Sequence, residues 1–292
     1  MAPAAGERLS VLRDSARRIA VRMGVRDLLL GAGRFAFPPG EPRVVQVTLD
    51  GIRLLVLANE DVGRRIAMLR RYEPRDSRLL GRLVRRTDVC ADIGANTGFY
   101  TMLMAARASA GAVHAFEPMQ LNWHLLSAGA LLNGFAHVTA VHAALGDRDA
   151  TAEFSEAADG AYSSLRAVGR VPEARRVSVA MQRLDDYAVA RALRFDVIKI
   201  DVEGGEGLVL AGAEGLFADP ALRPRVAMIE LAPRNLQAYG ESIEGILARL
   251  SAWGYSGFVA TEQLELRRYD PALADSFENV FFARNELDLA PA

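Results

Sequence analysis

The sequence predicts an α/β protein built on a doubly wound, mostly parallel sheet. Three observations predict it. From residue 88 onward, apolar runs of about six residues alternate with helical segments. A glycine-containing turn, Asp92-Ile93-Gly94-Ala95-Asn96-Thr97-Gly98, joins the first run to a helix, and an acid, Glu117, ends the second run.

The apolar runs are placed as strands near residues 88–93, 112–117, 138–143, 195–201 and 225–231, because parallel strands covered on both faces read as continuous hydrophobic stretches. Helices are expected near 97–108, 119–133, 205–216 and 241–253. Two further strands, Gly257-Phe258-Val259-Ala260 and Asn279-Val280-Phe281-Phe282-Ala283, have no helix between them long enough for a right-handed crossover. The second is therefore expected to insert antiparallel near the C-terminus.

Ahead of the sheet, Leu9, Leu12, Ala16, Ile19 and Met23 recur at helical spacing over residues 7–23, with arginines on the remaining surface. Packing on the main domain is the first reading of this helix, with a homodimer contact or a membrane-surface helix as alternatives. Residues 31–42, rich in Gly and Pro, read as a linker. Asp50-Gly51 between two β-prone runs, 44–49 and 52–57, is a hairpin signal. Residues 60–86 read as helical with a break at Glu73-Pro74. The organisation expected is an extension over 1–71 and a main domain over 72–292.

Composition narrows the function classes. The formal net charge is −1, which gives no global reason to expect a nucleic acid or an anionic surface as partner. A single cysteine, Cys90, excludes an intrachain disulfide and cannot alone hold zinc. No signal-type leader and no run long enough for a membrane span is visible, so a cytoplasmic location is expected. Of 35 basic residues the only lysine is Lys199.

The turn after the first strand carries the cofactor argument. Gly94 and Gly98 permit a tight turn and close approach of a ligand, with Ala95 and Asn96 between them. The spacing is not that of a dinucleotide fingerprint, and Asp92 puts negative charge where a pyrophosphate would sit. A cationic nucleoside such as S-adenosylmethionine suits that charge better than NAD. Glu117 is placed to accept both ribose hydroxyls. Asp147, at the edge of the third strand, is a candidate acceptor for an adenine amino group. His114 and His142 read as hydrogen-bonded core histidines.

These motifs, Asp92–Gly98, Phe116-Glu117-Pro118, Ala144–Asp147, Leu184-Asp185-Asp186 and Ile198–Glu206, follow in the order of the FkbM-type methyltransferases, which the chain resembles over residues 72–283. The resemblance implies a class I methyltransferase (Rossmann-like) fold and S-adenosylmethionine as donor. It further implies O-methylation of a sugar, polyketide or other secondary metabolite. The Gly204-Gly205 pair is a mild departure from the family pattern.

The fourth strand supplies the acceptor side. In Ile198-Lys199-Ile200-Asp201-Val202-Glu203, strand alternation sends Lys199, Asp201 and Glu203 to one face. Three ionisable groups there are costly unless they pair or border a ligand cavity. A carboxylate, Asp201 or Glu203, is expected to take the proton of an acceptor hydroxyl, with Lys199 as a compact ammonium that arginine could not replace. A buried pair that only holds the strand is the plain alternative. Glu206 is expected to stabilise the following helix N-terminus. Asp201 and Glu203 are hard oxygen ligands, but no third ligand is apparent and no metal is expected. Asp147 to Ala180 is long for one connection and reads as a lid or binding loop, with Tyr162, Ser163 and Ser164 as acceptor contacts. The acceptor itself, a small molecule or a glycan, is not legible. Two other functions compete: a nicotinamide-dependent oxidoreductase on a similar sheet, and a non-catalytic scaffold that keeps the fold.

Overall fold

A computed structural model describes residues 33, 36, 41–157, 164–165, 173–273 and 278–289. The helix expected over 7–23 and the candidates Tyr162 and Ser163 lie outside the described residues.

The chain opens with the hairpin β1 (Val44–Leu49) and β2 (Ile52–Leu57), turned through left-handed Asp50 and Gly51. Two helices follow, α1 (Asp61–Leu69) and α2 (Pro74–Leu83), broken where the sequence places Glu73-Pro74. Pro74 sits at the start of α2, where a missing N–H costs nothing. The alternating segment then runs β3 (Val89–Ile93), α3 (Phe99–Arg107), β4 (Ala112–Phe116), α4 (Gln120–Asn133) and β5 (Val138–Val141). It continues through β6 (Ala144–Leu145), β7 (Ala150–Ala157), β8 (Glu173–Gln182), α5 (Leu184–Ala190) and β9 (Val197–Ile200). Last come α6 (Glu206–Ala211), α7 (Glu214–Ala218), β10 (Val226–Leu231), α8 (Pro233–Ala238), α9 (Ile243–Ala252), β11 (Ser256–Ala260), β12 (Leu266–Arg268) and β13 (Glu278–Ala283).

The main sheet has the order β12-β11-β13-β10-β9-β3-β4-β5. Strands β5, β4, β3, β9 and β10 are mutually parallel, and β13 enters antiparallel between β10 and β11, as its short connection requires. The order reverses between β3 and β9, which opens the crevice where such sheets bind ligands. Strands β9 and β10 are buried along their whole length. One apolar layer joins Ile93, Ile198, Ile200 and Ile229 to α6, α7 and α9, and the other packs Cys90, Val113, Val197 and Met228 against α2 and α3.

Two segments differ from the sequence reading. The expected helix over 205–216 is two short helices parted at Gly212 and Ala213, where Gly212 lies against the Gly146 carbonyl with no room for a β-carbon. The connection after Asp147 is not one long loop. It holds the antiparallel pair β7 and β8, which with β6 forms a separate three-stranded sheet. The hairpin β1–β2 packs directly on the main domain, its Val47, Leu54 and Val56 meeting Met102 of α3 and Leu126 and Ala130 of α4.

Candidate active site

A cavity of about 610 Å³ opens at the C-terminal ends of β3, β4, β9 and β10, a size suited to a cofactor-sized ligand. Its floor is the turn after β3. Gly94 (φ +73°), Asn96 (φ +51°) and Gly98 (φ +91°) are all left-handed, so the turn folds back sharply before α3 begins. A β-carbon at Gly94 would collide with the Asp201 carbonyl oxygen, which fixes glycine there. The N–H groups of Gly94 and Ala95 both donate to the Phe116 carbonyl, tying the turn to β4.

Glu117 forms the lip beside this turn. Its Oε2 accepts from the Asn96 N–H at 2.8 Å and its Oε1 from the Met119 N–H at 2.8 Å. Each carboxylate oxygen keeps a free lone pair, and the side chain lines the cavity. Burial lifts the carboxyl to about 7, and the two backbone hydrogen bonds oppose that rise.

Asp92 is placed differently. It is fully buried beneath the turn and is not part of the cavity wall. Its Oδ2 accepts from Thr101 Oγ1 at 2.6 Å, and its Oδ1 stands 3.5 Å from Lys199 Nζ. Burial pushes its carboxyl up from the ordinary value, and Lys199 and Thr101 counter that push. Asp92 thus positions Lys199 and α3 from below. Gly98 and Asp147 are also outside the cavity wall. Asp147 instead pairs with the exposed Arg148 at 3.3 Å, and Ala143, Ala144 and Leu145 present their side of the crevice.

Lys199 joins the two halves of the site. Its buried ammonium donates to the Gly94 carbonyl at 3.0 Å and stands 3.2 Å from Asp201 Oδ2. Burial alone would lower its pKa, but Asp201 and Asp92 outweigh that and hold it above its ordinary value. The strand expected to run through Glu203 stops at Ile200, and Glu203 is left-handed (φ +55°), so alternation does not explain the acidic face. The residues after β9 form a turn held from inside by Glu206, whose Oε1 accepts from the N–H groups of Val202 and Gly204. That turn still presents both Asp201 and Glu203 to the cavity, with Glu203 Oε2 accepting from Asn235 Nδ2 at 2.7 Å.

Sequence reasoning missed two acids that complete this wall. Glu230, in β10, brings a carboxylate oxygen within 4.8 Å of those of Asp201 and Glu203, so the expectation that no third oxygen ligand stands near them is corrected. The signal was available: an acid inside the otherwise apolar run Val226-Ala227-Met228-Ile229-Glu230-Leu231 breaks the same rule as Lys199. Glu73, left-handed at the start of α2, takes a hydrogen bond from the Tyr100 hydroxyl and another from Asn279 Nδ2 at 3.0 Å. Burial, reinforced by Asp201, lifts its carboxyl to about 7.

Among the other candidates, Ser164 is buried and its backbone pairs with Ser155 on β7. His114 is a core histidine, its Nδ1 2.9 Å from the Tyr187 hydroxyl. His142 is exposed, stacks on Trp123 and meets the Pro118 carbonyl through Nε2. Cys90 is buried.

Sheet order, the left-handed turn after β3 and the acid after β4 define a class I, Rossmann-like methyltransferase. Residues 92–256 match the Methyltransferase FkbM domain, which is more than half of the chain, and the chain belongs to that family. S-adenosylmethionine is accordingly its cofactor. The acid-lined cavity fits such a cationic ligand, and the free lone pairs of Glu117 fit a ribose diol.

Three solved structures are similar to the chain at low identity. Methyltransferase FkbM from Methylobacillus flagellatus is 15% identical, with 68% of this chain and 44% of that one covered and a TM-score of 0.43. The chain thus spans less than half the length of that relative. M. jannaschii TYW2, solved in complex with AdoMet, is 13% identical over 83% of this chain and 85% of that one, with a TM-score of 0.40. A TehB-like SAM-dependent methyltransferase from Corynebacterium glutamicum is 12% identical over 76% and 94%, with a TM-score of 0.42. None of the curated proteins matches.

Proposed function

We propose that the chain methylates a hydroxyl oxygen of a sugar, glycan or secondary metabolite. The observation that carries this reading is the cavity-facing Asp201 carboxylate, held by Lys199 at the mouth of the crevice beside a donor-binding turn. S-adenosylmethionine, when bound, supplies an electrophilic methyl on a sulfonium. Glu117 and the turn after β3 bind the nucleoside end, and Lys199 locks that turn to β9 through the Gly94 carbonyl. Asp201 accepts the proton of the acceptor O–H, so that the oxygen attacks as its charge develops. The new O–CH₃ bond forms as the C–S bond breaks, with the electron pair left on sulfur. Lys199 keeps Asp201 aimed, and the walls hold oxygen, methyl and sulfur in line.

The test is methyl-labelled S-adenosylmethionine offered with a panel of methyl glycosides and phenolic glycosides. An O-methyl product is expected, and transfer only to nitrogen or carbon acceptors would overturn the reading. Asp201→Asn is expected to lower single-turnover rate by roughly 10²–10⁴-fold, while affinity for S-adenosylhomocysteine stays near that of the parent. A parallel fall in thermal midpoint and rate would instead assign Asp201 to structure.

A further inference from the structure

The wall made by the ends of β9 and β10 gathers three carboxylates, Asp201, Glu203 and Glu230, on one side of the cavity. The parallel register pairs Met228 with Lys199 and Ile229 with Ile200, which sets Glu230 alongside Asp201. Carboxylate oxygens of Asp201, Glu203 and Glu230 all lie within 4.8 Å of one another. Lys199 is already committed to Asp92, Asp201 and the Gly94 carbonyl. Arg65 and Arg71 reach the cavity from α1 and the segment after it, but no hydrogen bond or ion pair joins either to the three acids among the described contacts.

Glu230 gives the independent sign of a ligand. The residue is only 8% exposed, and its buried Oε2 has no hydrogen-bond partner among the described residues. An ionised carboxylate in that position is costly to leave uncompensated. It lines the cavity, so the uncompensated oxygen stands where a ligand can reach it.

We propose that Asp201, Glu203 and Glu230 bind a hard divalent cation of the Mg²⁺, Mn²⁺ or Ca²⁺ kind. Three carboxylates without histidine or cysteine select such ions over zinc or copper. Oxygen ligands about 2.4 Å from a calcium-sized ion stand at most about 4.8 Å apart, so the observed cluster needs little rearrangement around Ca²⁺ and a modest contraction around Mg²⁺ or Mn²⁺. The ion supplies Glu230 Oε2 with the partner that no group among the described residues provides. Three protein ligands leave coordination positions open toward the cavity.

Those open positions deepen the O-methylation reading, on which this consequence rests. An acceptor with two adjacent oxygens, such as a vicinal diol, would chelate the ion and be held with one oxygen beside Asp201. Acceptors with a single isolated hydroxyl would lose that anchor.

The experiment uses the full chain, stripped with EDTA and saturated with S-adenosylhomocysteine, titrated with MnCl₂ while free Mn²⁺ is followed by electron paramagnetic resonance. One tight Mn²⁺ per chain is expected, competed by Mg²⁺ or Ca²⁺. Glu230→Gln is expected to weaken it by about 10–100-fold or more, with S-adenosylhomocysteine affinity retained as the check on folding. Glu203→Gln serves the same purpose should Glu230→Gln not fold. Absence of a stoichiometric Mn²⁺ site in the parent protein, or affinity unchanged in both variants, would overturn the proposal. A Mn²⁺ site lost in the variants, in a protein that methylates no hydroxyl, would sustain the cation site and overturn the O-methylation reading alone.

Discussion

Lys199 and Glu230 stand on neighbouring strands, both buried in the middle of the sheet, yet their surroundings are opposite. Lys199 is met by two carboxylates and a carbonyl, and every direction its ammonium points is answered by protein. Glu230 is met by two more acids, and among the described residues no hydrogen-bond partner answers its Oε2. Burial, then Asp201 and Glu203, push its carboxyl well above the ordinary range. A compensated buried charge holds a structure together. An uncompensated one beside a cavity marks where a ligand, an ion or a proton belongs.

The largest effect should come from breaking the compensated side. Lys199→Met leaves Asp92 and Asp201 without their cation, and Asp92 is fully buried. A loss of about 3–5 kcal/mol of stability is expected, as when one partner of a buried ion pair is removed. Denaturant unfolding measures it. The matched change on the other strand, Glu230→Gln, removes a buried carboxyl whose ionisation its surroundings already oppose and should be neutral or stabilising in metal-free protein. Equal losses in both variants would erase the contrast between the two strands.

How much of this was legible in the sequence follows from the same contrast. The alternation of apolar runs and helices gave all five parallel strands, and the short final connection gave the antiparallel insertion, because both rest on local period and on chain geometry. Lys199 was visible as an ionisable residue in a strand that ought to be apolar. Its partner Asp92 was visible too, but as a cavity residue rather than as the support beneath the turn, since a strand pattern does not say which face of the sheet a ligand takes. Glu203 was reached by an alternation that in fact ends at Ile200. The sheet β6–β8–β7 was read as a lid loop because its pairing is long-range and its strands are separated by a segment without apolar period. Glu73 was hidden for another reason. It reaches the site from the start of α2, a segment with no motif, through partners on α3 and β13.

A smaller effect separates Glu117 from Asp92, two buried acids at the ends of adjacent strands. Glu117→Gln replaces an oxygen that accepts a backbone N–H with an NH₂ that faces it, on the wall of the cavity. Binding of S-adenosylhomocysteine is expected to weaken by about 1–3 kcal/mol, read by calorimetry. Asp92→Asn should instead lower the thermal midpoint and leave most of the affinity of the folded protein intact, because Asp92 touches Thr101 and Lys199 rather than the cavity. Affinity losses of the same size in both would mean that the turn after β3 moves with its support, and that no line divides wall from foundation.

The smallest effect is expected at Asp147, the acid at the end of the third strand segment. Its side chain is about one-third exposed, and its partner Arg148 is more exposed still. Ion pairs of that kind contribute about 0–1 kcal/mol. The backbone beside it is held in place: the Gly146 N–H donates to the Gln182 carbonyl at 3.1 Å, and Gly212 packs against the Gly146 carbonyl. A carboxylate anchored by such a neighbour does not swing freely into the crevice, where Ala143, Ala144 and Leu145 already form the wall. Asp147→Ala is therefore expected to change both stability and S-adenosylhomocysteine affinity by no more than about 0.5 kcal/mol. A tenfold loss of affinity would show that Asp147 reaches the adenine when the donor is bound. The acids of this site would then fall into three groups rather than two: those that support, those that await a ligand, and one that is drawn in by it.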